Sequence, residues 1–472
     1  MSADVVVVGA GAAGTFAAMA LGGARTLVLD VGRAPSGAAT GLERNVYDAK
    51  RSGTDLFAPL IGERFESLHN VHLDYLSPKL KAPLLRFVTD GARELGAIAA
   101  DGFDPMQSFA TGGLANAWGA GAFRFRADEL RDFPLAAGEL DPHYDALTEH
   151  IGIAGADDDL TPFLGPATGL LPPHRTNRIG SHLQRGYERH RDRFRKAGVH
   201  IGAPRLAVLS EPHRDRPAYD YQGLEFFRPH LRSIYNPAFT LHELVTAGAV
   251  EHHRGVLVER YRRTNDGVVV HARRVDTGEA LSFAAKRLVL AAGALNSARL
   301  VLRSEGSADT RLPLLDNAIS YVPFVAPRLI GKGLETESLP LQRTVVVEDA
   351  HEWCPVLGSF YGVSATLWND LAFDLPLAAR DNVRMLKYLL PALSVVQLFY
   401  ADRVRPGNEL WLGDDHVLRI RYRGCARGAL ERRLLRVFRK AGWFGAASLC
   451  KYPVAGNSFH YAGCLPMQAA PG

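Results

Sequence analysis

The stretch VVVVGAGAAGTFAAMA, residues 5–20, decides the fold. Its four valines form the β-branched run expected of a strand buried on both faces in a parallel sheet. Gly9, Gly11 and Gly14 follow in GxGxxG spacing, and the small residues after them predict a helix from about Ala12 to Leu21. Each glycine has a distinct purpose in such a unit. Gly9 permits the tight turn, Gly11 lets main chain approach a pyrophosphate, and Gly14 lets the helix pack close to the strand. The first helical amides, at Ala12 and Ala13, then face the phosphate charge. A second strand, RTLVLD, ends in Asp30, an acid placed to hydrogen-bond ribose hydroxyls. The order strand, glycine turn, helix, strand and acid predicts a bound dinucleotide. It does not by itself separate FAD from NAD.

The chain has 472 residues, enough for two domains or one large composite. An apolar fraction of 47% and a charged fraction of 22% fit a globular protein with a sizeable core. The net charge of +5 is mild for this length. A nucleic-acid binder concentrates its basic residues in a stripe or carries a reading motif. Neither is present, so no nucleic-acid partner is expected. Cys354, Cys425, Cys450 and Cys464 stand far apart with no CxxC pair, which argues against zinc and for free thiols in a reducing compartment. The longest apolar run, YLLPALSVVQLFY from Tyr388, contains Pro391 and falls short of the roughly 20 residues that span a bilayer. With no charged leader before the first strand, a soluble cytoplasmic protein without a membrane span is expected.

Three further segments sharpen the reading. FATGGLANAWGAGAFRF, residues 109–125, is a glycine-rich loop carrying Trp118. AKRLVLAAGALNSARLVL, residues 285–302, reads as a strand, a turn at Gly293, and a helix begun near Asn296 or Ser297, both good N-caps. NSFHYAGCLPM, residues 457–467, contains His460. Between them, GVLVERYRRTNDGVVVHARRVDTGE forms hairpins with Asn-Asp-Gly and Asp-Thr-Gly turns. Together with the N-terminus, these segments resemble the glucose-methanol-choline (GMC) oxidoreductases, nearest the branch of pyranose oxidase and the bacterial sugar dehydrogenases.

The resemblance implies non-covalent FAD. In that family the loop here formed by Gly112, Gly113, Asn116, Ala117, Trp118 and Gly119 runs along the flavin. Some relatives join a histidine covalently to the ring at the position of Ala117, which this chain does not provide. Ala292 and Gly293 would close on the cofactor, with Asn296 at the start of the helix beneath it. Val258 matches the place where main chain meets the adenine. His460 matches the family's catalytic histidine, with Gly463 and Met467 in place and Cys464 where threonine is commoner. Imidazole suits the role, because oxidising an alcohol releases a hydroxyl proton as well as a hydride, and imidazole titrates near neutrality. His242, His252 and His253 are expected to be surface or core residues.

The implied activity is oxidation of a CH–OH group of a small alcohol or sugar. Substrate identity and the electron acceptor are left open. Family members continue for some tens of residues past the His460 motif and supply a second catalytic residue there, whereas this sequence stops at Gly472. A fragment, a second polar group from elsewhere such as Asn457, and an incomplete or non-catalytic flavin-binding relative are therefore all open. An NAD(P)-linked Rossmann dehydrogenase is a further alternative.

The expected fold class is α/β, an α+β composite of a Rossmann-like FAD-binding domain and a second domain built on an antiparallel sheet. The FAD domain is expected to be discontinuous, over 1–50, 90–150, 240–310 and 455–472. The substrate domain takes 151–239 and 311–454. In the latter, RTVVVED, GSFYGVSATLW, LSVVQLFYADRV and a hairpin over 408–424 read as strands roofing a pocket. LAARDNVRMLKYLLPAL reads as helix, and RGYERHRDRFRKAG as a basic, solvated helix.

Overall fold

A computed structural model describes residues 2–35, 52, 53, 55, 57–64, 80, 82–221, 232–335, 338–348, 354–362 and 376–468. The 36–50 and 469–472 parts of the expected FAD domain and the GVSATLW end of one expected strand, beyond Gly362, lie outside the described residues.

The protein is a mixed α/β structure with parallel and antiparallel sheets. The opening strand Ser2–Val8 sits inside a six-stranded sheet, between Thr26–Leu29 and Ala280–Leu290, with Val250–His253 beyond the former. These four strands run parallel. Val6 and Val7 have no exposed surface, as a strand covered on both faces requires. The parallel part is then continued by an antiparallel meander, Ala280–Leu290 to Gly267–Arg274 to Val256–Thr264. Helix Ala12–Ala20 packs on one side of this sheet, and helix Gly293–Glu305 leads away from its third parallel strand.

A second, antiparallel sheet has the order Ile319–Val325, Leu393–Phe399, Val356–Gly362, Leu341–Val347, Val199–Gly202. One of its faces is core. Val322, Phe324, Val345, Phe360, Val396 and Leu398 meet Leu183, Leu434, Phe438 and Trp443 of the helical layer behind. Phe360, Phe438 and Trp443 are fully buried, and each large apolar side chain so placed contributes about 1.5–3 kcal/mol. The opposite face is only half-buried along Leu393–Phe399, in an alternating pattern. Helix Ala379–Leu389 lies where its period predicted. The basic segment differs: it is two helices, Arg178–Arg189 and Arg191–Lys196, broken at His190, which has a non-helical φ of −121°.

Two smaller pairings tie distant segments together. Ile98–Asp101 pairs parallel with Leu418–Arg421, which forms the 408–424 hairpin with Glu409–Leu412. Leu315–Asp316 pairs antiparallel with Tyr461–Ala462.

Candidate functional site

The carboxyl ends of the parallel strands carry the candidate cofactor site, the general location of ligands in open α/β sheets. Gly9 has φ +101°, and a β-carbon there would lie 2.5 Å from the Ala291 carbonyl oxygen. One at Gly14 would lie 1.9 Å from the Gly9 oxygen. These two glycines are thus required by packing. Gly11 is different, since no atom lies within 4 Å of where its β-carbon would be. Ala12 and Ala13 are exposed, and the helix they begin has neither a side-chain cap nor an acid in its first turn. The first-turn amides are therefore open to an anion. Gly293, φ +76°, likewise has nothing within 4 Å, and the helix it begins also lacks a first-turn acid.

That helix starts at Gly293, three residues before the expected start at Asn296. Ser297 explains the difference. Its Oγ accepts the Ala292 N–H at 3.1 Å, satisfying an orphan amide from inside the helix rather than from the cap position. Asn296 is half-buried on the first turn.

Asp30 closes the opposite side. Its Oδ2 accepts from Thr111 Oγ1 at 3.0 Å and lies 3.7 Å from His252 Nε2. Its main-chain oxygen accepts from Val256 N, so the strand bearing Val258 begins against it. Val258 itself is buried in the core, on the edge strand of the six. Sequence reasoning missed Thr111, whose position one residue before the glycine pair gave no periodic signal.

The 109–119 loop docks on this glycine turn. Gly112 N–H donates to Ala10 O at 2.8 Å, and a β-carbon on Gly113 would sit 3.5 Å from Gly11 Cα. Gly113–Ala117 forms a turn of 3₁₀ helix. Asn116 holds this turn in shape. Its amide donates to Thr111 O at 2.9 Å and Gly113 O at 2.7 Å, and its oxygen accepts from Asn236. Trp118 donates from Nε1 to Tyr235 O at 3.0 Å, fixing the far end. Gly119 is exposed.

His460 joins the site through its neighbour. Phe459 packs against the apolar cluster of Leu84, Leu85 and Ala110, the same cluster that Leu114 and Ala117 of the loop pack against. The His460 ring stacks on Phe399 of the antiparallel sheet, with centroids 5.3 Å apart and planes at 30°. It retains open surface, yet burial in the surrounding protein lowers its pKa below the ordinary imidazole value. The residue is exposed, with its ring laid against Phe399. Asn457, considered for a second polar group, is turned away: its amide donates to Asp104 Oδ2 at 3.2 Å and Val454 O at 3.3 Å. That expectation is corrected, because the side chain is spent on the turn.

The half-buried sheet face supplies polar groups instead. Tyr321 and Ser359 lie opposite Gln397, one on each neighbouring strand, and Tyr361 lies opposite Val395. This row is two residues from Phe399 and hence about 7 Å along the strand from the residue on which His460 stacks. Gln397 Nε2 donates to Tyr321 Oη at 3.3 Å, and Tyr361 is hydrogen-bonded to Ser359. Tyr361 packs against the same core cluster as Trp118, and a β-carbon on Gly119 would lie 3.8 Å from its hydroxyl. The row therefore spans from the glycine loop to His460. Burial raises the pKa of both Tyr321 and Tyr361, so these phenols stay protonated at neutral pH.

Among the described residues, no cluster of His, Cys, Asp and Glu could hold a metal ion, and no helix is long and apolar enough to cross a membrane.

No family model matches the chain, and no curated protein matches it. Solved structures do. A fungal aryl-alcohol oxidase is 13% identical with a TM-score of 0.32, over 72% of this chain and 55% of that one. The myxobacterial chondrochloren halogenase CndH, described as a variant of FAD-dependent halogenases, is 11% identical with a TM-score of 0.24, over 85% and 53%. Glycine oxidase from Geobacillus kaustophilus is 15% identical with a TM-score of 0.24, over 93% of both chains. The chain thus spans about half the length of the first two.

Proposed function

We propose that the protein is an FAD-dependent oxidoreductase that oxidises a CH–OH group of an alcohol or sugar. The observation that carries this reading is the meeting of three segments far apart in sequence: the Gly9–Gly14 turn, the 109–119 loop docked on it, and the His460 turn, whose Phe459 packs against the same apolar cluster as Leu114 and Ala117 of that loop. A nucleotide's pyrophosphate fits the open amides at Gly11, Ala12 and Ala13, and its ribose fits Asp30. FAD is favoured over NAD(P) by the sheet. An NAD-binding fold repeats the strand–helix–strand half. Here the parallel strands are continued by an antiparallel meander. Ala117 offers no side chain for a covalent link, so binding is non-covalent.

Bound flavin supplies an acceptor for a hydride. The chain's residues do the rest. His460, neutral at pH 7, accepts the hydroxyl proton at a ring nitrogen, help worth about 10² to 10⁴ in rate. Tyr321, Ser359, Tyr361 and Gln397 offer donors and acceptors in one row, which suits a substrate with hydroxyls besides the one oxidised. Small-molecule substrate, with no nucleic acid, is the partner this site fits.

The test is spectroscopic. Protein reconstituted with FAD should show flavin absorbance, and an anaerobic panel of alcohols and sugars should bleach it. Protein that takes up no flavin, or takes it up and is bleached by none of the panel, refutes the binding and the activity respectively.

A further inference from the structure

We propose that Asp316, acting through Ser458, is a positioning residue that holds the His460 imidazole against Phe399. The carboxyl group is 2% exposed and belongs to no ion pair among the described residues. Its Oδ2 accepts the Gly456 N–H at 2.9 Å, and its Oδ1 accepts the Ser458 hydroxyl. With its proton committed to Asp316, the Ser458 oxygen turns a lone pair to the His460 N–H, accepted at 3.0 Å. A buried carboxylate thus sets the main-chain position from which the imidazole projects.

The turn needs such a hold. Phe459 has φ +63°, a left-handed conformation that non-glycine residues adopt at a cost and keep only where their surroundings impose it. Gly456, φ +94°, begins the same turn, and a β-carbon there would lie 2.3 Å from Asp104 O. The Tyr461 hydroxyl donates to Gly456 O at 2.6 Å. Asp316 is itself fixed from behind: its N–H donates to Asp402 Oδ2 at 3.1 Å, which also accepts from the Tyr422 hydroxyl, and Arg405 lies 3.5 Å from Asp402. The pairing of Leu315–Asp316 with Tyr461–Ala462 brackets the turn on its other side. An unsupported turn at Phe459 relaxes toward negative φ, and the next residue then loses its seat on Phe399.

The inference rests on the reading of His460 as the base, but its test does not. The titration of His460 is followed by NMR of the full-length protein labelled on histidine, with His460→Gln identifying the signal. Wild-type His460 should titrate below the ordinary imidazole value. In Ser458→Ala and Asp316→Asn the midpoint should return to about 6.5, the value of a solvated imidazole. Ser458→Thr, which keeps the hydroxyl, should restore the low midpoint. With an oxidisable substrate, Ser458→Ala should lose tenfold or more in kcat with KM within twofold. Should Asp316→Asn fail to fold, the two Ser458 variants decide alone. A folded Ser458→Ala protein whose His460 midpoint is unmoved overturns the proposal, whether or not any alcohol is oxidised. A moved midpoint with no alcohol oxidised by wild type upholds the seating and removes the proposed reaction instead.

Discussion

Gly11 and Gly14 lie on the same turn, yet alanine should injure the protein differently at each. At Gly14 the added methyl would sit 1.9 Å from the Gly9 oxygen and 3.3 Å from the Ala291 β-carbon. Both neighbours are tied to the sheet, so helix and strand must part. Overpacking of this kind costs about 1–3 kcal/mol. Alanine's better helix propensity returns at most about 1 kcal/mol of it. At Gly11 the methyl meets nothing within 4 Å, and φ is −80°, which alanine adopts freely. Losing glycine's tolerance at an N-cap costs a fraction of 1 kcal/mol, and a stiffer unfolded chain offsets it. Apo-protein carrying Gly11→Ala should therefore melt near wild type, and Gly14→Ala several degrees lower. Cofactor affinity should reverse the order of blame. The Gly11 methyl holds a pyrophosphate off the first-turn amides, and each charge-assisted hydrogen bond lost removes about 1.5–3 kcal/mol, at least tenfold in Kd. Titration of apo-protein with FAD, followed by quenching of flavin fluorescence, measures this. Wild-type affinity in Gly11→Ala would refute the pyrophosphate assignment. A wild-type melt in Gly14→Ala would refute the packing argument.

Three further outcomes are expected. His460→Ala should retain flavin yet slow its anaerobic reduction by about 10² to 10⁴, read by stopped-flow absorbance; reduction at the parent rate removes the base assignment. The pH profile of that step should follow the imidazole. Because burial lowers its pKa, the proton-accepting form persists below the ordinary value, so the rate should be level through neutrality and fall on the acid side, with a midpoint under about 6.5. A midpoint above that value contradicts the desolvation of the ring by its surroundings. Gln397→Leu should raise KM for polyhydroxylated substrates more than for simple alcohols, by about tenfold for one lost hydrogen-bond partner; an equal effect on both classes denies the row a part in recognition.

The opening unit was legible because its signals are local. A valine run, three glycines and a terminal acid each act within a few residues of where they stand. The strands of the antiparallel sheet were legible for the same reason. Their polar row was not. Tyr321, Ser359 and Gln397 come together only through register between strands that are not consecutive, and both faces of that sheet carry apolar residues. The helix start was misplaced because a capping serine can serve from within the first turn, as Ser297 does. Asn457 and Asn116 illustrate a common ambiguity. An asparagine beside a glycine turn binds neighbouring main chain as readily as a ligand, and only the fold decides. His460 stood out among seventeen histidines solely by its surroundings in sequence, and in the fold its neighbour Phe459 shares an apolar cluster with Leu114 and Ala117 of the 109–119 loop.

The opening strand pairs with Ala280–Leu290, Ser2 lying opposite Ala284. On a ribosome adding about 5–20 residues per second, the first strand made must wait on the order of tens of seconds for that partner. Throughout the interval Val5–Val8 is a bare, sticky ribbon with one flank unclaimed, the kind that seeks a stranger's backbone. A generous supply of chaperones to cover that ribbon, and few nascent chains at a time to meet one another, are therefore the conditions under which this polypeptide should be harvested intact, whereas slowing the ribosome would only prolong the exposure.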